Sequence, residues 1–136
     1  LGARFDYWRA ATEITIQHPF LGTGPGTFSI PYRNIKKPES EMAKLAHNDY
    51  IQQASDSGIP GMVLYTGFII WVLNRGFRLG FQNKELLPIF IGLFAWSIHS
   101  FFEFHLYIPA LAYLAFAFAG VLASFSYDKK INEQVK

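Results

Sequence analysis

The sequence predicts an all-α integral membrane protein, in which an extracytoplasmic segment of short helices and loops precedes three transmembrane helices. Composition is the first reason: 51% of residues are hydrophobic and 18% aromatic, but only 16% are charged, against roughly 25% in a soluble domain. The second is distribution. Three stretches, Ser57 to Asn74, Leu86 to Phe102 and Phe104 to Tyr127, contain no Asp, Glu, Lys or Arg.

These stretches place the spans at about 58–74, 86–102 and 106–126. A span needs about 20 apolar residues, with about 17 as the lower limit, so the first two rely on flanking polar side chains that snorkel to the interface. Pro60, Pro88 and Pro109 sit near the first turns, where a missing N–H is tolerated. A soluble bundle of buried helices fits less well, because no polar face recurs at helical spacing within these runs.

Basic residues near the helix ends set the orientation. The first inter-span loop carries Arg75, Arg78 and Lys84, and the tail 128–136 carries Lys129, Lys130 and Lys136; both are expected in the cytoplasm. The Glu103-Phe104-His105 connection has no Lys or Arg and is expected outside, together with residues 1–57. Tyr65, Trp71, Tyr107 and Tyr127 read as interface anchors.

Other classes are excluded by what is missing. A formal charge of +2 is too small for the basic stripe of a nucleic-acid binder. The absence of cysteine removes disulfides, thiolate metal sites and thiol nucleophiles together. The first residue is Leu1 and no leader pattern opens the chain, which suggests the C-terminal part of something longer.

Within the outer segment, Phe5 to Gln17 reads as an amphipathic helix with Phe5, Trp8, Thr12 and Ile16 on its apolar stripe. His18-Pro19 should end it. A glycine-rich turn, Phe20 to Phe28, follows without a helix pattern after it, and Asn34 to Lys44 reads as a mobile polar loop. A short helix from Asp49 to Ser57, capped by Asn48 or Asp49, should stop at Gly58.

Consecutive backbone N–H groups can hold a phosphate, but this turn lacks the Gly-Lys-Ser/Thr ending of a P-loop and Pro25 removes a donor. A structural turn is the better reading. None of His18, His47, His99 and His105 has another histidine three or four residues away. His99 and Glu103 share a helix face but fall one ligand short of a catalytic metal site, so no metal is expected. The same pair with His105 reads as an interfacial cluster at the hairpin tip, or as support for the outer segment from below.

Three blocks in order carry a family resemblance: Arg4-Phe5-Asp6-Tyr7-Trp8 with Ala11 and Ile14; His18-Pro19-Phe20-Leu21-Gly22-Thr23-Gly24-Pro25-Gly26-Thr27-Phe28; and Ala46-His47-Asn48-Asp49-Tyr50 followed by Ser57-Gly58-Ile59-Pro60-Gly61. Together, over residues 4 to about 61, they resemble the bacterial O-antigen ligase and polymerase family. These are inner-membrane glycosyltransferases of lipopolysaccharide and cell-envelope synthesis that use undecaprenyl-diphosphate-linked glycans. The resemblance implies that residues 1–57 face the periplasm or cell exterior and that further helices complete the enzyme. It implies a lipid-linked glycan donor, a glycan, lipid A core or protein acceptor, and no cofactor.

The resemblance also assigns roles. The family's loop arginine and its His-Asn histidine map onto Arg4 and His47, and Arg33 is a looser match for a further positive charge. The residue types suit the chemistry. An imidazole, with an unperturbed pKa of about 6.5, can take the proton of an acceptor hydroxyl. A guanidinium offers a permanent bidentate charge to a departing diphosphate. His47 is therefore expected as base, Arg4 and Arg33 as diphosphate ligands, and Asn48 as a residue that orients His47 or caps the helix. Two competing classes are a bicarbonate-transporter-like small-solute carrier and a non-catalytic membrane scaffold. A carrier should show ionisable groups at mid-membrane, whereas His99, Glu103 and His105 lie toward one end.

Overall fold

A computed structural model describes residues 2–125; the basic tail 128–136 and Tyr127 lie outside them. The described chain is helical, with no strand: α1 (Gly2–Gln17), α2 (Ser29–Ile35), α3 (Asp49–Gln82), α4 (Leu87–His99), a 3₁₀ turn (His105–Tyr107) and α5 (Pro109–Ser124).

Two cores organise it. In the first, Tyr7, Ala10, Ala11 and Ile14 of α1 pack with Phe28, Tyr32, Ala43 and Ala46. The expected α1 stripe is therefore displaced: Phe5, Thr12 and Ile16 are exposed. The buried face keeps helical spacing but uses small residues, because Ala10 and Ala11 let neighbouring elements approach where large side chains would hold them off.

The segment after the glycine turn also differs from expectation. Residues 29–35 form a short helix whose Tyr32 is fully buried. The polar stretch beyond it is tied down. Lys37 Nζ pairs with Asp6 Oδ1 at 2.9 Å and Ser40 Oγ donates to Asp6 Oδ2 at 2.9 Å. Tyr32 OH donates to the Glu41 carbonyl at 3.0 Å. The bonds from Lys37 and Ser40 hold the Asp6 carboxyl below its ordinary range.

Helix α3 is interrupted at Gly58, which adopts φ 73 and ψ 179. In an unbroken helix Ser55 O would accept from Ile59 N, and Asp56 O from residue 60. Ile59 N instead donates to Pro19 O at 2.8 Å, and Pro60 has no N–H. Both freed carbonyls are taken by the glycine turn: Thr23 N donates to Ser55 O and Gly24 N to Asp56 O, each at 2.9 Å. The turn thus fits the break backbone to backbone. A Cβ on Gly22 would lie 2.4 Å from Asp56 C, and one on Gly58 2.5 Å from Phe20 C.

The second core joins α3, α4 and α5 through Val72, Leu79, Leu93, Ala115, Ala119 and Leu122. Arg75 Nε donates to Leu122 O at 2.9 Å, and the same guanidinium reaches Phe125 O, occupying carbonyls that the end of α5 leaves free. Among the described residues one helix, α3, is long and apolar enough to cross a membrane. Helices α4 and α5 are apolar but have 13 and 16 residues, shorter than the spans expected from the charge-free runs. The difference for α4 arises because its helix ends at His99 and the chain turns through residues 100–104 before the 3₁₀ turn.

Candidate functional site

The site is built where the outer segment meets the tip of the α4–α5 hairpin. Asn48 caps α3: its side chain accepts from Tyr50 N at 3.0 Å and Ile51 N at 3.1 Å. Of the two roles expected for it, capping is the one its geometry performs. Beside it, Asp49 N donates to Ser100 O at 2.9 Å, and the fully buried Asp49 carboxylate accepts from Leu106 N at 3.1 and 3.3 Å. The start of α3 is thereby fastened to both sides of the hairpin tip, which carries Glu103. Burial pushes the Asp49 carboxyl up to about 6, against the lowering effect of its bond from Leu106.

Glu103 joins the two residues singled out in the sequence. Arg4 donates to Glu103 Oε1 at 2.7 Å, and His47 Nδ1 lies 3.3 Å from Glu103 Oε2. An ionised carboxylate only accepts, so Nδ1 carries the hydrogen in this bond and Nε2 is left with its lone pair. The side chains of Arg4, Glu103 and His47 are 36%, 31% and 32% exposed, enough for a ligand to reach all three. The imidazole is framed by rings: Tyr7 stacks on it with centroids 5.8 Å apart, and Phe104 meets its edge at 4.7 Å.

His47 is also a backbone exception. Its φ of 54 makes it the one described non-glycine residue in the left-handed region, a conformation that side chains disfavour and that clusters at functional sites. A buried polar chain runs beneath it. Ala46 N donates to Gln52 Oε1 at 2.6 Å, Gln52 Nε2 donates to Asp56 Oδ1 at 2.9 Å, and Asp56 Oδ2 accepts from Gly26 N at 2.9 Å and from Tyr107 OH. Tyr107, expected as an interface anchor, is thus bound into this network.

Arg33 stands apart. It is exposed on α2 and makes no hydrogen bond or ion pair with Arg4, Glu103 or His47. The N–H groups of Thr23, Gly24 and Gly26 are spent on Ser55, Asp56 and the Asp56 carboxylate, so the turn is structural and these donors are closed to a phosphate. His99 Nδ1 and His105 Nε2 face each other at 2.8 Å with stacked rings, packing the hairpin tip.

Tyr7 and Gln52 are site residues to which sequence reasoning gave no role. Glu103 was read as packing the hairpin tip or as supporting the outer segment from below, and its bonds to Arg4 and His47 are such a support.

Curated proteins give no match to the chain. The family model described as O-antigen ligase matches residues 1–66, a stretch that includes Arg4, the glycine turn, His47 and the Gly58 break and stops short of Glu103. All three resembling blocks fall inside it, so the resemblance is borne out: residues 1–66 match the O-antigen ligase family.

Proposed function

We propose that the chain is part of a membrane glycosyltransferase that transfers or polymerises a glycan from an undecaprenyl-diphosphate-linked donor onto an acceptor hydroxyl. The observation that carries this reading is the single carboxylate, Glu103, bonded to both Arg4 and His47. Helices α3, α4 and α5 act as three spans, the segment before Gly58 faces the periplasm or cell exterior, and the loop with Arg75, Arg78 and Lys84 faces the cytoplasm. Additional helices of the complete protein close the site.

In the transfer step the acceptor oxygen attacks the anomeric carbon of the donor sugar. The bond from that carbon to the diphosphate oxygen breaks, and undecaprenyl diphosphate leaves with the electron pair. His47 Nε2 takes the hydroxyl proton. Glu103 holds the Nδ1–H tautomer and stabilises the imidazolium that forms, as an orienting carboxylate does for a catalytic histidine. Arg4 spends one N–H on Glu103; the rest of its fork is available to diphosphate oxygens. Arg33, on the exposed side of α2, would meet a donor's glycan or diphosphate only at the periphery. No step calls for a metal or cofactor.

Arg4→Ala and His47→Ala in the complete protein test the assignment. Each should abolish transfer from native donor in membranes at unchanged abundance, and wild-type transfer by both would refute it. Product length separates a ligase, which moves a finished glycan to lipid A core or protein, from a polymerase, which extends one.

A further inference from the structure

The left-handed backbone at His47 needs something to hold it. The residues after it are fixed by the helix start: Asn48 caps α3 and Asp49 N is bonded to Ser100 O. One residue before it, the Leu45–Ala46 peptide is fixed by one side chain, Gln52, whose Oε1 accepts from Ala46 N at 2.6 Å. Gln52 is fully buried, and its amide has no freedom to flip. Its oxygen must face the Ala46 N–H and its NH₂ must face Asp56 Oδ1, 2.9 Å away, since the reverse would set donor against donor and acceptor against acceptor. Asp56 is in turn fixed by Gly26 N and Tyr107 OH.

We infer that Gln52 is a positioning residue for His47. By pinning the Leu45–Ala46 peptide from α3, it leaves only Ala46 and His47 between two anchored ends. The φ of His47 is then held at the value that turns the imidazole toward Glu103 and Tyr7. Gln52 does not touch the reacting atoms; it acts through the backbone. The inference rests on the reading of His47 as the base, and it separates two features that share one network: the glycine turn and the His47 loop both depend on Asp56, but only the loop depends on the Gln52 oxygen.

The test uses the complete protein in membranes, with rates referred to folded, monodisperse material after extraction. Gln52→Leu keeps the bulk and leaves Ala46 N–H without an acceptor; Gln52→Glu keeps an acceptor oxygen for Ala46 N–H and, in the protonated form that the buried Asp56 carboxylate favours, an O–H donor for Asp56 Oδ1. His47→Ala is assayed in parallel. Displacing a general base should lower kcat in Gln52→Leu by about 30-fold or more with donor KM within about twofold, because Arg4 is undisturbed. Gln52→Glu should recover most of that loss. A kcat for Gln52→Leu within about threefold of wild type, a loss matched in donor KM, or a Gln52→Glu variant as impaired as Gln52→Leu would each overturn the role of Gln52. If His47→Ala transfers normally, the base assignment itself falls; an inactive His47→Ala beside an unimpaired Gln52→Leu removes Gln52 alone.

Discussion

Glu103 Oε2 lies 3.3 Å from His47 Nδ1, across 56 residues of chain, and its other oxygen binds Arg4 at 2.7 Å. This pairing fixes which imidazole nitrogen is free. Glu103→Gln keeps a hydrogen-bonding side chain of the same shape but removes the charge that selects the tautomer and stabilises the imidazolium. It should lower kcat by about 10²-fold, with a much smaller change in donor affinity because Arg4 keeps its charge. Steady-state transfer at varied donor concentration reads both. An unchanged kcat would show that Glu103 serves only to pack the hairpin tip.

The fit of the glycine turn into the α3 break predicts severe loss of folded protein in Gly22→Ala and Gly58→Ala. Each adds a Cβ within 2.5 Å of backbone atoms at a positive φ, and backbone cannot swing aside as a side chain can. Gly67→Ala is the control. Nothing lies within 4 Å of its Cβ, and alanine favours the helix by up to about 1 kcal/mol. Extraction yield and melting temperature in detergent separate the two groups.

Asn48→Ala should lower stability by about 1 kcal/mol, the usual loss when an N-cap is removed, since Tyr50 N and Ile51 N lose their acceptor. Asn48→Asp, which also caps, should restore it. Thermal melting of the two variants checks this. Transfer should follow stability in both, because the Asn48 side chain bonds the helix start and not the imidazole.

Asp49 gives a pH dependence with a defined sign. It precedes the Gly58 break and belongs to the outer segment. Burial raises its folded pKa to about 6, from the ordinary aspartate value of 3.8, so the folded chain holds this proton more tightly than the unfolded chain does. Its contribution to stability is full below the unfolded value and is lost as pH rises through about 6. Asp49→Asn keeps an acceptor for Leu106 N and carries no charge. Above pH 6 it should match or exceed wild type, by up to about 3 kcal/mol, and the gap should narrow on acidification toward pH 4. Melting curves across that range would contradict the account if the gap stayed constant.

Helices α1, α3, α4 and α5 were legible because their signals are local, whereas Arg4 and His47 were singled out through the family resemblance and α2 was not expected. Charge-free runs, Pro60, Pro88 and Pro109, and the Asn48-Asp49 helix start all act within a few residues. The buried face of α1 was misread because Phe5 and Ile16 outweigh Ala10 and Ala11 in hydrophobicity, whereas close approach to neighbours selects the small residues. The order in residues 36–41 was missed because it depends on Asp6, more than thirty residues earlier. The partners of Glu103 were hidden for the same reason: they are 99 and 56 residues distant, and that separation is closed by the Asp49 contacts to the hairpin tip.

In the proposed function, Arg4, Glu103 and His47 act as one centre for glycan transfer. The most direct measurement is transfer from native undecaprenyl-diphosphate-linked donor by membranes holding the complete protein, wild type against His47→Ala at equal abundance. The account predicts product from the wild type and none above background from the variant, with donor accumulating instead. Equal product from both would contradict it.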